Sequence, residues 1–341
     1  MLMLLAFVQV SGFRAAKLLP HKTEWLRLCA SCDMASTKTK LRVCGVPEHF
    51  NAPWHLAIAS GKFEEAGLEV EWTDQGGGTG AMAKMLNGGE TDVAVLLTEG
   101  IYKDIVTGGQ SKIAGVYVSS PLCWGIHSSA GAHHDRLKAT ADLKGARFAV
   151  SRMTSGSHLM AFVCAQQQGW DPTSDVSFEV VKNLAGAREA LKEDRADAFM
   201  WEKFTTKPLV DAGEFKRVGE VFTPWPCFVI AVRNEVLERE GGAAAVQAML
   251  TAVRAQAEDF QANVDGASVA YVAEHYGLRP EDAQEWFAGS NPVRWSCAPA
   301  IDASVLQKVG ATLADIGVLE PDTVAAVRTE QLLAPFCELR Q

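Results

Sequence analysis

The chain has 341 residues, of which 48% are apolar and 21% charged. That is the balance of a folded globular protein and excludes a disordered or fibrous one, and the length exceeds what one hydrophobic core usually serves, so two lobes are expected. A net charge of −9 without any basic stripe argues against a nucleic-acid partner, and no stretch reaches the roughly 20 apolar residues that a spanning helix needs, so no direct membrane insertion is expected.

The opening segment differs from the rest. Met1 to Val10 is apolar, and Arg14, Lys17, Lys22 and Arg27 follow, set against only Glu24 and Asp33. This composition resembles an organellar or signal-like targeting segment. Residues 1–40 are therefore read as a targeting-like or disordered extension, dispensable for folding, that points to an intracellular or organellar location, with Met34 as an alternative start. The eight cysteines are scattered and mostly have apolar neighbours, as in Leu122-Cys123-Trp124. They read as buried thiols in a reducing compartment. Cys29-x-x-Cys32 is the one close pair and lacks a second pair at zinc spacing.

From Leu41 onward short apolar strands alternate with amphipathic helices, the pattern of an α/β protein with a mostly parallel sheet. Leu41 to Val46 reads as a strand. Pro53 suits a first helical position, Trp54 to Glu65 carries helical spacing, and Gly67 stops it. Leu68, Val70 and Trp72 alternate with Glu69 and Glu71 as a half-buried strand does. Gly76 to Gly80 leads into a helix from Ala81 to Leu86, and strands follow at Asp92 to Leu97 and Ile113 to Val118.

At Ser119-Ser120-Pro121 the style breaks, and a second αβ set begins with Trp124 to His127. Its strands are Arg147 to Val150, Phe178 to Val181 and Ala198 to Met200, with helices at Ser157 to Gln168 and Ala187 to Leu191. Thr223-Pro224-Trp225-Pro226 interrupts the chain again, because two prolines do not fit a central strand. Phe228 to Val232 is then a return strand, and the chain from Asn234 reads as almost wholly helical. Two interruptions around one αβ set imply a chain that crosses twice between lobes. The expected first lobe is 41–120 with 228–341, and the inserted second lobe is 121–227. Ligands of open α/β sheets bind beyond the carboxyl ends of strands, so the loops there are expected to line a cleft between the lobes.

The run Ala52-Pro53-Trp54-His55-Leu56-Ala57-Ile58, with Gly61-Lys62-Phe63, Gly67-Leu68-Glu69-Val70, Thr79-Gly80-Ala81-Met82, Asn87-Gly88 and Asp92-Val93-Ala94-Val95, resembles substrate-binding proteins of the sulfonate, nitrate and thiamine-precursor group. The resemblance implies a type II periplasmic-binding-protein fold, shared with fungal pyrimidine-synthesis proteins. Trp201-Glu202-Lys203-Phe204 and Thr223-Pro224-Trp225-Pro226 further resemble a subfamily that also occurs in fungi. The pyrimidine synthases carry a cofactor-binding lysine, a reactive histidine and a cysteine-rich run. Leu96, Gly100 and the single Cys227 stand at the matching positions here. Plain binding without a cofactor is expected on that comparison, and pyridoxal phosphate is not expected to bind.

Ser151-Arg152-Met153-Thr154-Ser155-Gly156-Ser157-His158 follows a strand and opens a helix. Free amides at a helix start, hydroxyl donors and one arginine together make an anion seat, so Arg152, Ser155, Gly156, Ser157 and His158 are candidate ligand residues. Gly78 and Thr79 belong to the glycine-rich turn. Trp54, Trp124, Trp201 and Trp225 fall at strand ends or crossings, where aromatic rings stack on planar or cationic groups. Glu48, Glu99 and Glu202 lie at the same level and suit an amine or ring N–H. Asn51, Thr98 and Ser120 join the candidates by the same strand-end rule. A metal site from Glu48, His49, His55 and His158 has no supporting spacing, so no metal is expected.

The function expected is capture of a small polar molecule, anionic or zwitterionic, by hinge closure. The alternatives are a thiamine-precursor (pyrimidine) biosynthesis-type enzyme on the same fold, or a ligand-responsive sensor or partner-binding protein; a transporter or signalling partner is left open.

Overall fold

The computed structural model describes residues 38–131, 134–264 and 266–341. The targeting-like reading, the alternative start and Cys29-x-x-Cys32 lie outside the described residues, apart from Lys38–Lys40, where the first strand begins.

Two sheets organise the chain. The first contains β1 (Thr39–Gly45), β2 (Leu68–Asp74), β3 (Val93–Leu97), β4 (Ser111–Val118), β10 (Phe228–Arg233) and β11 (Trp295–Ala298), in the order β11-β4-β10-β3-β1-β2. β1 runs parallel to β2 and β3, whereas β10 is antiparallel to β3 and β4. β3 is buried along its whole length, which explains its unbroken apolar run. The buried Asp92 just before it accepts from the Arg42 amide at 3.0 Å and from Arg233 Nη2 at 3.2 Å, pinning β1, β3 and β10 at one edge. The opposite edge gathers the ends of β1 and β3 and the start of β10, with Phe228 opposite Leu97.

The second sheet contains β5 (Cys123–Ser129), β6 (Arg147–Val150), β7 (Ser177–Val180), β8 (Ala198–Glu202) and β9 (Phe215–Phe222), in the order β7-β6-β8-β5-β9. β6 is parallel to β7 and β8, and β5 is antiparallel to β8 with Trp124 opposite Glu202. One edge of this sheet therefore presents, in spatial order, the ends of β7, β6 and β8 and the start of β5.

The chain passes between lobes twice, at Ser119–Leu122 and Thr223–Cys227, and the two crossings are bonded to one another. Leu122 N donates to Thr223 Oγ1 at 2.8 Å, Thr223 N donates to Leu122 O at 3.0 Å, and Cys227 N donates to Ser120 O at 3.2 Å. The two crossings thus form one short paired segment between the lobes.

The structure differs from the sequence reading in several places, among them the helices Thr98–Val106 and Lys207–Asp211, which the reading lacks. The helix expected over Trp54 to Glu65 is two helices, Ala52–Ala59 and Lys62–Glu65, because Gly61 takes a left-handed φ of 74° between them. β9 escapes the reading because Lys216, Arg217 and Glu220 break its alternation; as an edge strand it carries charges without loss. The tail is not wholly helical. β11 joins the first sheet through Trp295, whose Nε1 donates to Phe50 O at 3.0 Å, and β12 (Ala300–Asp302) pairs in parallel with β13 (Glu338–Arg340). All six described cysteines are free and buried.

Candidate functional site

The two sheet edges face one another across a cavity of about 580 Å³, open space at its mouth included. Both lobes line it. From the first come Glu48 after β1, Gly78 and Thr79 after β2, and Leu97 at the end of β3; from the second come Arg152 after β6, Lys182 after β7, Trp201 and Glu202 on β8 and Trp124 on β5.

Each group has a local reason for its position. Thr79 begins the helix Thr79–Gly88, and its hydroxyl accepts from the Leu97 amide at 3.2 Å, joining the β2 and β3 loops. Ser155 caps the helix Gly156–Gln167, accepting from the His158 amide at 3.4 Å and lying 3.0 Å from the Ser157 hydroxyl. Ser157 Oγ in turn accepts from the Ser151 amide at 3.2 Å. Arg152 crosses the cleft: its Nη1 donates to Gly77 O at 3.2 Å. A side chain at Gly80 would place Cβ 1.9 Å from Arg152 Nη2, so only glycine lets the guanidinium pass. Gly156 plays the same part between the lobes, where a Cβ would lie 2.7 Å from Leu97 Cδ1. Of the non-glycine residues described with left-handed φ, Lys182 lines this cavity, and Thr154 sits in the Arg152 loop. Such conformations cost free energy and persist where surroundings impose them.

The electrostatics are ordered along the second sheet. Cations stand at β7 and β6, as Lys182 and Arg152, and acids at β8 and opposite β1, as Glu202 and Glu48. Glu48 Oε1 accepts from Trp201 Nε1 at 3.1 Å. Burial, reinforced by the charge of Glu202, pushes the Glu48 carboxyl up to about 8, against the pull of that indole bond. Burial also raises Glu202 to about 7, although its Oε2 accepts from the amides of Phe204 and Thr205 and from the Thr205 hydroxyl. One oxygen of each acid, Glu48 Oε2 and Glu202 Oε1, has no hydrogen-bond partner among the described residues. Trp124 and Trp201 meet edge to face with centroids 6.5 Å apart.

Of the residues chosen from sequence, Glu48, Gly78, Thr79, Trp124, Arg152, Ser155, Gly156, Ser157, Trp201 and Glu202 are brought together here. The others are placed elsewhere. Trp54 is fully buried in the first lobe among Phe63, Trp72 and Tyr117. Asn51 donates to Val46 O at 2.7 Å inside its own turn. Thr98, Glu99, Ser120 and Trp225 hold the crossings: Thr98 Oγ1 donates to Pro226 O at 2.6 Å, Trp225 Nε1 donates to Glu99 Oε2 at 2.8 Å, and Ser120 Oγ accepts from the Arg294 amide at 3.2 Å. His158 is wedged between Phe162 and Phe178, and burial lowers it to about 4. Lys182 was missed by sequence reasoning, although it follows β7 just as Arg152 follows β6. Trp124 stood among the four tryptophans and lines the cavity.

The histidines considered for a metal are spread apart, His55 beside Trp72 and His49 edge-on to Trp286 at 4.3 Å. His134, outside that group, is buried. It bonds Ser128 Oγ at 2.7 Å and Asp194 Oδ1 at 3.1 Å, within a network in which Arg136 and Arg147 pair with Asp197.

A family model described as Ca3427-like PBP matches residues 124–221, which span β5 to β9. Among solved structures, the Candida albicans CA3427 gene product, described as defining a family with the generic periplasmic binding protein fold, is 28% identical. The match covers 88% of this chain and 95% of that one with a TM-score of 0.73. The chain has the periplasmic-binding-protein fold. The alkanesulfonate-binding protein SsuA from Xanthomonas axonopodis pv. citri, bound to MOPS, is similar at 19% identity, 89% and 99% coverage and a TM-score of 0.67. The nitrate-binding protein NrtA from Synechocystis PCC 6803 is similar at 16% identity, 86% coverage of each chain and a TM-score of 0.63. At these last identities the likeness is one of fold. No curated protein matches the chain significantly. In a periplasmic-binding-protein fold the space between the lobes is where a ligand is enclosed, and that is where the ordered charges and tryptophans of this chain lie. Among the described residues no helix is long and apolar enough to cross a membrane.

Proposed function

We propose that this chain binds a small polar organic molecule, anionic or zwitterionic, between its lobes, and that the molecule favours the closed state by touching both. Residues 41–120 with 228–341 move as one body and 121–227 as the other, bending at the paired crossings. The observation that carries this reading is the separation of charge along one cavity. Arg152 and Lys182, with the Ser155 and Ser157 hydroxyls, suit an oxyanion at the β6 and β7 end. Glu48 and Glu202, each with one unengaged oxygen, suit an amine or ring N–H at the β8 end, and Trp124 and Trp201 offer rings to the body between. That structural neighbours bind alkanesulfonate and nitrate supports an anionic group on the ligand.

The pyrimidine-synthase alternative gains no support from the residues at its positions. Leu96 is fully buried in β3, and Cys227 is sealed in the crossing with its thiol pushed well above the ordinary range by burial.

Native mass spectrometry of the purified protein tests the reading. The expected result is an added mass of one small molecule that leaves on unfolding and is absent from Arg152→Ala. An added mass retained equally by Arg152→Ala would place the molecule outside this cavity.

A further inference from the structure

Glu48 and Glu202 come from different lobes and line one cavity, although they are only 7% and 3% exposed. Each has one oxygen committed to the protein. Glu48 Oε1 accepts from Trp201 Nε1, and Glu202 Oε2 accepts from the Phe204 and Thr205 amides and the Thr205 hydroxyl at 2.7–2.9 Å. The second oxygen of each has no partner among the described residues. Glu99 Oε1 is sealed from solvent, whereas Glu48 Oε2 and Glu202 Oε1 are not among the described atoms so sealed.

Among the described residues no cation balances this pair. His49 Nε2 lies 3.7 Å from Glu202 Oε2, but it sits among Phe50, Phe204, Tyr276 and Trp286, and burial lowers it to about 3, so the ring is neutral. Arg217 acts on Glu202 through its charge and spends its Nη2 on Lys203 O at 2.8 Å. Lys203 itself pairs with Glu220 and Glu285. The thiols of Cys123 and Cys227, which feel the charge of Glu202, are raised by burial and stay neutral. Glu48 faces the Trp201 indole and the charge of Glu202. Arg152 and Lys182 stand at the other end of the cavity, after β6 and β7.

Two ionised carboxyls in one water-shielded space, each within reach of the other's charge, are unfavourable, and protons relieve them. Burial holds Glu48 at about 8 and Glu202 at about 7, so near neutral pH the empty pair keeps part of its protons, which belong to the pair and not to either acid. The committed oxygens are acceptors, so such a proton sits on Glu48 Oε2 or Glu202 Oε1. An ammonium group carries three donors and a full charge, and it satisfies both of those oxygens at once.

We propose that Glu48 and Glu202 act as a proton-for-cation exchange pair: the group they select on the ligand is an ammonium, and it enters in place of a proton. The proton leaves to solvent and the ammonium keeps its own, so charge at the acid end is conserved. The proposal rests on the reading of the cavity given above and adds to it a charge requirement and a pH dependence. Affinity for an ammonium-bearing ligand is expected to rise by up to about tenfold per pH unit between pH 7 and 8 and to flatten above 8.

Infrared spectra of the empty full chain between pH 6 and 9 test it. A carbonyl band of protonated carboxyl is expected to fade as pH rises through 7 and 8, and to be smaller by one carboxyl in Glu48→Gln, which keeps an acceptor for Trp201. Glu99 contributes equally to all these proteins. Glu202→Gln is expected to move the remaining Glu48 step to lower pH, because a neighbouring charge is gone. Methylammonium chloride in place of sodium chloride, at equal ionic strength and pH 7, is expected to reduce the band in wild type and not in Glu48→Gln. A band that Glu48→Gln leaves unchanged, or one that methylammonium does not reduce, overturns the exchange. Native mass spectrometry tests separately whether a molecule occupies the cavity, so the two failures are distinguishable.

Discussion

Trp201 Nε1 of the second lobe donates to Glu48 Oε1 of the first at 3.1 Å, so a bond across the cleft joins the aromatic wall to the acidic end of the cavity. Glu48 thereby serves two purposes: it closes the lobes through one oxygen and faces the ligand space with the other. Trp201→Phe keeps the ring and removes the donor. The expected effect is a loss of ligand affinity of about threefold to tenfold, the worth of one hydrogen bond, with little change in the melting temperature of the empty protein. Trp201→Ala is expected to lower both, since the ring also stacks on Phe199 at 5.7 Å. Calorimetry and thermal melting on the two variants separate these effects.

The buried acids give the empty protein a defined pH response. Glu48, Glu99 and Glu202 are held at about 8, about 7 and about 7, whereas the unfolded chain ionises them near 4.5. Between those values the folded state binds more protons than the unfolded one, so their contribution is full below pH 4.5 and is lost as pH rises through 7 and 8. His49, His127 and His158, held at about 3, about 3 and about 4, work in the opposite direction below pH 6.5. The clean window is therefore pH 7 to 8, where stability is expected to fall by up to about 1.4 kcal/mol per pH unit for each carboxyl still protonated. Glu48→Gln is expected to flatten that slope. Urea unfolding at pH 7, 7.5 and 8 measures it, and a rise in stability across the window would contradict the assignment.

Trp54 sets the complementary case of a residue in the core and not in the site. It is fully buried against Phe63, Trp72 and Tyr117, and Trp54→Ala is expected to cost about 3–5 kcal/mol. Ligand affinity of the fraction that remains folded is expected to stay within about twofold of wild type, which denaturant melts and calorimetry at low temperature check together.

Ion pairs link the C-terminal segment to the second lobe beside the crossings. Lys203 Nζ lies 2.8 Å from Glu285, Lys207 Nζ 3.4 Å from Asp282, and Arg279 Nε 3.2 Å from Asp211. The Lys203–Glu285 and Arg279–Asp211 pairs are partly exposed, so each of these two contributes about 0–1 kcal/mol to closure, whereas Asp282 is buried. Glu285→Gln is expected to shift the empty protein modestly towards the open form, and added salt is expected to reduce the difference between the two proteins. Distance distributions between labels on the two lobes, at low and high salt, give the readout.

The architecture was legible because strand periodicity and two proline-marked interruptions survive in the sequence, and both crossings lie where Ser119-Ser120-Pro121 and Thr223-Pro224-Trp225-Pro226 break the pattern. The site was legible only in part. Strand ends locate loops, but they do not say which way a side chain turns within the loop. Arg152 and Trp201 turn into the cavity, while Thr98, Glu99, Ser120 and Trp225, at the same level, turn to each other and to the crossings. Trp54 shares the composition of a stacking residue and packs as core because its helix faces the sheet. Lys182 gave no signal of its own, standing at a short strand's end without a glycine or hydroxyl run to mark the loop.

The central claim is that both lobes grip one small molecule through oppositely charged ends of a single cavity. Titration of the molecule released by unfolding the wild-type protein into refolded wild type and into Arg152→Ala tests it most directly. A charged hydrogen bond is worth about 1.5–3 kcal/mol, so the account predicts affinity lower by one to two decades in Arg152→Ala, with the melting temperature of the empty protein almost unchanged. Equal affinity in the two proteins would contradict it.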